Sequence, residues 1–138
     1  MSTTQPHQRL ISAFLRRRGG WLAVAAGGLV GSAARTGIGF WLDGDGFPTP
    51  ILLVNLAGSL LLGFYLARRE RAVSGRGSFQ FWAIGALGSF TTFSTFSVDL
   101  VRLVEGGQVG LAVSYLLAST VGGLGAAIAG LRIGNSLG

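Results

Sequence analysis

The sequence predicts an all-α integral membrane protein of four transmembrane helices, and three observations carry that expectation. Of 138 residues, 49% are hydrophobic, and a further 24 are glycine. Only 12% are charged, about half the share in an ordinary soluble domain. The charges are also bunched: 22 charge-free residues separate Asp45 from Arg68, 22 separate Arg76 from Asp99, and 26 separate Glu105 from Arg132. About 20 helical residues cross a hydrocarbon core about 30 Å thick, so each gap is long enough to span. This composition excludes a soluble globular enzyme and a disordered chain. The absence of cysteine excludes a disulfide-stapled fold and thiolate-held zinc or iron–sulfur centres. The net charge of +6 comes from eleven arginines and no lysine. They sit mainly at segment ends, which is the pattern of membrane orientation rather than of nucleic-acid binding.

The elements follow in order. Residues 1–20 form a basic N-terminal segment with Arg9, Arg16, Arg17 and Arg18, in which Ser12–Arg18 is suited to a short interfacial helix. The first span is 21–42, interrupted by Arg35 and flanked by Trp21, Phe40 and Trp41 as interfacial aromatics. A cleaved signal peptide is the competing reading, but the apolar run resumes after Arg35 and more spans follow. A turn over residues 43–47 leads into the second span, 48–67, which Pro48 and Pro50 suit as a helix start. The loop 68–77 carries Arg68, Arg69, Arg71 and Arg76. The third span is 78–103, Glu105-Gly106-Gly107 is a turn, the fourth span is 108–131, and residues 133–138 are a short tail. The membrane domain is thus residues 21–132.

Many glycines fall at small-xxx-small spacing, as in Gly27/Gly31, Ser59/Gly63 and Ala126/Gly130. In lipid, close backbone approach is what drives helices together, so most of these read as packing. A four-helix subunit this small encloses little alone, and oligomerisation is expected.

Polar groups inside a bilayer are expensive and mark function. Arg35 is read as the only charge well inside a span, with no carboxylate inside one. Asn55 stands alone among apolar neighbours with Ser59 one turn later, suited either to an interhelical hydrogen bond or to donating to an anion. Tyr115 and Ser119 are likewise one turn apart. The third span carries the strongest signal, Gly88-Ser-Phe-Thr91-Thr-Phe93-Ser-Thr-Phe96-Ser97. Hydroxyl residues that compete for backbone hydrogen bonds make a poor continuous helix here, and a break at mid-membrane is tolerated only against protein or a water-filled cavity. Phe93 and Phe96 share a face, and aromatic ring edges are electropositive.

That string resembles the signature of the Fluc (CrcB-type) fluoride channel family. Gly31-Ser-Ala-Ala-Arg35, Val54-Asn55-Leu-Ala-Gly58-Ser and the Tyr115/Ser119 pair resemble its first-, second- and fourth-helix motifs, over about residues 22–131. The resemblance implies an antiparallel, dual-topology dimer with two pores. Fluoride would pass Asn55, the edges of Phe93 and Phe96, and then Tyr115 and Ser119. A structural, non-transported sodium ion would be held by main-chain carbonyls of Gly88 and Thr91, and Arg35 would lie near an aqueous vestibule. Ser89, Ile51 and Gly123 depart from the family's usual residues. The second subunit would be another copy or a paired homologue. The arginine asymmetry implies a multi-pass protein of the cell inner membrane with both termini cytoplasmic.

Two other classes are weighed. A small four-helix multidrug exporter needs a membrane carboxylate, and a non-transporting assembly protein needs no broken third helix. No catalytic triad, metal-ligand cluster or phosphate loop is present, and the one histidine, His7, is N-terminal. Enzymatic chemistry is therefore not expected.

Overall fold

The computed structural model describes residues 6–42, 46–71 and 75–137, and every regular element among them is helical. Helix α1 is Pro6–Leu42 and α2 is Thr49–Arg71. The third rod is composite: α3 (Arg76–Phe79), a π-helical stretch (Gln80–Leu87), α4 (Gly88–Phe90) and α5 (Phe93–Glu105). Helix α6 is Val109–Ser136. The interfacial segment expected at Ser12–Arg18 is part of one continuous α1, because nothing between Arg18 and Trp21 stops a helix except two glycines. The turn residues 43–45 lie outside the described residues. Gly46 and Gly107 have φ of 107° and 72°, a left-handed backbone that glycine adopts without strain, and Gly107 closes the tight connection from α5 to α6.

Three stretches are long and apolar enough to cross a membrane: Thr49–Arg69, Arg76–Glu105 and Val109–Ser136. Helix α1 is not among them, because five glycines and Arg35 dilute the apolar content of its 21–42 portion.

The rods pack as two close pairs. Helix α2 lies along α6, and α1 lies along the π-helical stretch and α4. Glycines set both seams. A methyl group on Gly31 would overlap the Ala86 carbonyl oxygen, and one on Gly27 the Phe81 carbonyl oxygen. On the other seam, Gly130 meets the Leu60 carbonyl and Gly63 the Ala127 carbonyl in the same way. These are close backbone approaches of the kind that replaces the hydrophobic effect in lipid. Few large side chains are fully buried; Tyr115 and Val54 are the largest. Leu29, Val121, Leu124 and many other apolar side chains face outward, as they should toward lipid or a neighbouring subunit.

Candidate functional site

The third rod is interrupted at two residues. Thr91 (φ −74°, ψ 155°) and Thr92 (φ −147°, ψ 122°) are extended between α4 and α5. The local sequence accounts for the geometry. Thr92 is the N-cap of α5, its Oγ1 accepting from the Thr95 amide at 3.2 Å; threonine is a favoured residue there. Across the interface, Asn55 of α2 grips the same residue at both ends. Its Nδ2 donates to the Thr92 carbonyl at 3.1 Å, and its Oδ1 accepts from the Thr92 amide at 2.9 Å. This paired match also fixes which way the side-chain amide points.

The two bonds redirect specific donors. In an uninterrupted α-helix the Thr92 amide would serve the Gly88 carbonyl, and the Thr95 amide would serve the Thr91 carbonyl. Here the first serves Asn55 and the second serves the Thr92 hydroxyl. Gly88 and Thr91 are therefore among the carbonyls that the interruption leaves without their usual amide partners. Thr91 turns its own hydroxyl back to the Leu87 carbonyl at 3.1 Å, so its side chain is occupied while its main-chain oxygen is not served from the next turn. Its methyl group fits against α2 because residue 58 is glycine; a Cβ there would overlap it.

A groove of about 360 Å³ runs beside the interruption, lined in part by Asn55, Ser59, Thr92, Phe93, Phe96 and Ser119. Phe93 and Phe96 lie 5.9 Å apart between ring centroids, at 43°. Their settings differ: Phe96 is 8% exposed and Phe93 80%. Tyr115 is not on the groove wall. It lies behind Phe96, ring centroids 5.1 Å apart, and meets Phe47 edge-on at 5.6 Å. The Tyr115 hydroxyl is buried beside the Asp99 carboxylate, and the Ser119 hydroxyl is buried without a hydrogen-bond partner among the described residues. Such groups are few in folded proteins and ask for a ligand, a water or a missing neighbour.

Arg35 lines a second, larger cavity of about 640 Å³ with Thr36, Thr95, Asp99, Arg102 and Gln108. The hydroxyls of Thr95, on this cavity, and Thr92, on the groove, are 3.1 Å apart. Asp99 corrects the expectation that no carboxylate lies inside a span. It sits on α5 within 78–103, its side chain is 14% exposed, and it is 4.0 Å from Arg102. Sequence reading also passed over Thr92. The available signal for both was helical spacing: Thr92, Phe96 and Asp99 fall at i, i+4 and i+7, one face of α5.

The chain matches, over residues 22–131, the family described as CrcB-like protein, camphor resistance (CrcB). Among curated relatives, a fluoride-specific ion channel FluC of Thermus thermophilus is 44% identical over 121 residues, covering 85% of this chain and 94% of that protein. A fluoride-specific ion channel FluC of Agrobacterium fabrum is 42% identical over 118 residues, covering 83% and 94%. A third, FluC 2 of Listeria innocua, is 40% identical over 124 residues, covering 85% and 92%.

Proposed function

The chain belongs to the CrcB-like family, and we propose from that premise that it is a fluoride channel which lets cytoplasmic fluoride leave the cell passively. The observation that carries the reading is the 40–44% identity to fluoride-specific channels over most of both chains. The groove supports it chemically. Fluoride is small and tightly hydrated, so a pore must replace its water with donors. Asn55 keeps one amide N–H beyond those spent on Thr92. Ser59 and Ser119 offer hydroxyls, and Phe93 and Phe96 offer electropositive ring edges. No arginine lines this groove, which suits conduction, because a pore must bind its ion weakly enough to release it. Arg35 and Arg102 instead sit on the larger cavity, where they gather anions at its mouth. Tyr115 backs Phe96, the two rings packed at 50° to each other. Outward movement needs no coupled ion: a potential negative inside supplies about 2.3 kcal/mol per 100 mV per charge. Fluoride resistance follows.

The active assembly is an antiparallel dimer with two pores, each subunit crossing the cell inner membrane four times with α1 as the first crossing. The open groove and the outward-facing Phe93 support a second subunit as the missing wall. The second subunit is another copy or a paired homologue in the opposite orientation. The carbonyls of Gly88 and Thr91 would hold a structural sodium ion that is not transported. Their redirected amide partners and hard oxygen chemistry fit such an ion, which would supply a fixed charge tying the two interrupted rods together. The test is fluoride efflux from liposomes, followed with a fluoride electrode. The wild-type chain with its oppositely oriented partner subunit should empty them, and Asn55→Asp, which puts an acceptor-only group in the path, should not.

A further inference from the structure

One end of the bundle carries arginines that the conduction pathway does not use. The end of α2, the start of α3 and the end of α6 meet there. The Tyr65 and Ser78 hydroxyls are 3.3 Å apart, the Arg68 Nη1 donates to the Leu137 carbonyl at 2.9 Å, and the Arg69 guanidinium lies 4.0 Å from the centre of the Phe79 ring. Gly134, two residues past Arg132, packs on Ala67 and Phe64. Arg68, Arg69, Arg76 and Arg132 are therefore gathered at one level, and Arg68, Arg76 and Arg132 are exposed. The side chain of Gln80 lies against Gly20, which places Trp21, 74% exposed, and Trp82, 50% exposed, beside this level. Glu70, between Arg69 and Arg71 in the last turn of α2, is an acid of this same end, whereas Asp99 and Glu105 lie toward the far end of α5.

Arginine at helix C-termini offsets the helix dipole, and that alone accounts for Arg68 on α6. It does not account for Arg76, which opens a helix, where a cation is unfavourable. Arg68 spends one of five guanidinium N–H donors on Leu137, and the cluster's planar forks match a phosphodiester. Arginines level with exposed tryptophans sit where headgroups meet acyl chains. We propose that this arginine end is a binding site for anionic phospholipid, with the headgroup phosphate held by Arg68, Arg76 and Arg132 and the upper acyl chain lying against Trp82. This rests on the chain's place in a membrane and not on fluoride conduction.

The test reconstitutes the full chain in vesicles of equal phosphatidylcholine and phosphatidylglycerol, extracts it gently and counts co-purified lipids by native mass spectrometry. Phosphatidylglycerol should be retained in clear excess. The double variant Arg76→Gln with Arg132→Gln should cut that excess about tenfold at low salt, each arginine near an anionic surface being worth several-fold. Arg102→Gln, at the other end, should leave it unchanged. Equal retention of the two lipids by the wild type would overturn the site, as would an excess that survives the double variant or falls equally in Arg102→Gln. Fluoride efflux is not among the readouts, so failure here is distinguishable from failure of the channel reading.

Discussion

At the residue scale the account turns on Asn55 and the two phenylalanines. Asn55 spends its oxygen and one N–H on Thr92, so it shapes the interruption and also faces the groove. Asn55→Asp keeps the acceptor for the Thr92 amide but sets a carboxylate oxygen against the Thr92 carbonyl. Loss of that donor should cost about 1–3 kcal/mol, read as a lower midpoint of thermal unfolding, together with loss of fluoride flux. Phe93→Ile and Phe96→Ile should each remove most of the flux while leaving assembly intact, checked by efflux and by gel filtration. Isoleucine supplies volume but no electropositive edge. Flux near the wild-type rate in both would return the pair to packing. The sequence made these three residues legible because a lone amide and paired aromatics stand out in an apolar helix. It misplaced Asp99 for a physical reason. Spans counted as gaps between charges end at the charges, so a carboxylate one turn inside reads as a boundary. The exclusion of a carboxylate-dependent exporter therefore does not stand on charge counting; family membership carries it instead.

At the element scale, the interruption of the third rod is held by Thr92 from within and by Asn55 from across. Thr92→Val keeps the shape but removes the cap on Thr95, and should lower stability by about 1 kcal/mol. Thr91→Ser keeps the hydroxyl bonded to Leu87 and the main-chain oxygen, and should be mild on both stability and flux. The glycine seams make a harsher prediction. Gly31→Leu or Gly130→Leu would drive a side chain into a carbonyl of the facing rod. Overpacking of this kind costs about 1–3 kcal/mol or more, and the variants should run as aggregates or fail to accumulate. The clustering of hydroxyls and glycines made a poor helix legible near Gly88–Ser97. The π-helical stretch was not legible, because an apolar run such as Gln80–Leu87 does not distinguish i to i+4 from i to i+5 bonding. Nor could local sequence pair Asn55 with Thr92, since that contact joins residues 37 apart.

For the whole molecule, nine arginines lie on the side of the termini and the 68–77 loop when all four rods cross: Arg9, Arg16, Arg17, Arg18, Arg68, Arg69, Arg71, Arg76 and Arg132. Arg102 lies toward the other side, where Arg35 lines the same cavity. The positive-inside rule then predicts a preferred orientation with cytoplasmic termini, under which the inverted partner we propose would be a paired homologue. Terminal tags on the chain expressed alone should accordingly be labelled from one face in most molecules, and equal labelling from both faces would point to a homodimer instead. The central claim is separable from that question. Two copies of this chain joined through one added transmembrane helix are forced into opposite orientations. In liposomes loaded with potassium fluoride, that tandem should release fluoride rapidly once valinomycin lets potassium follow. It should release little without the ionophore, and little in either case when both copies carry Phe93→Ile and Phe96→Ile. A folded, reconstituted tandem that releases no more fluoride than protein-free liposomes would contradict the account.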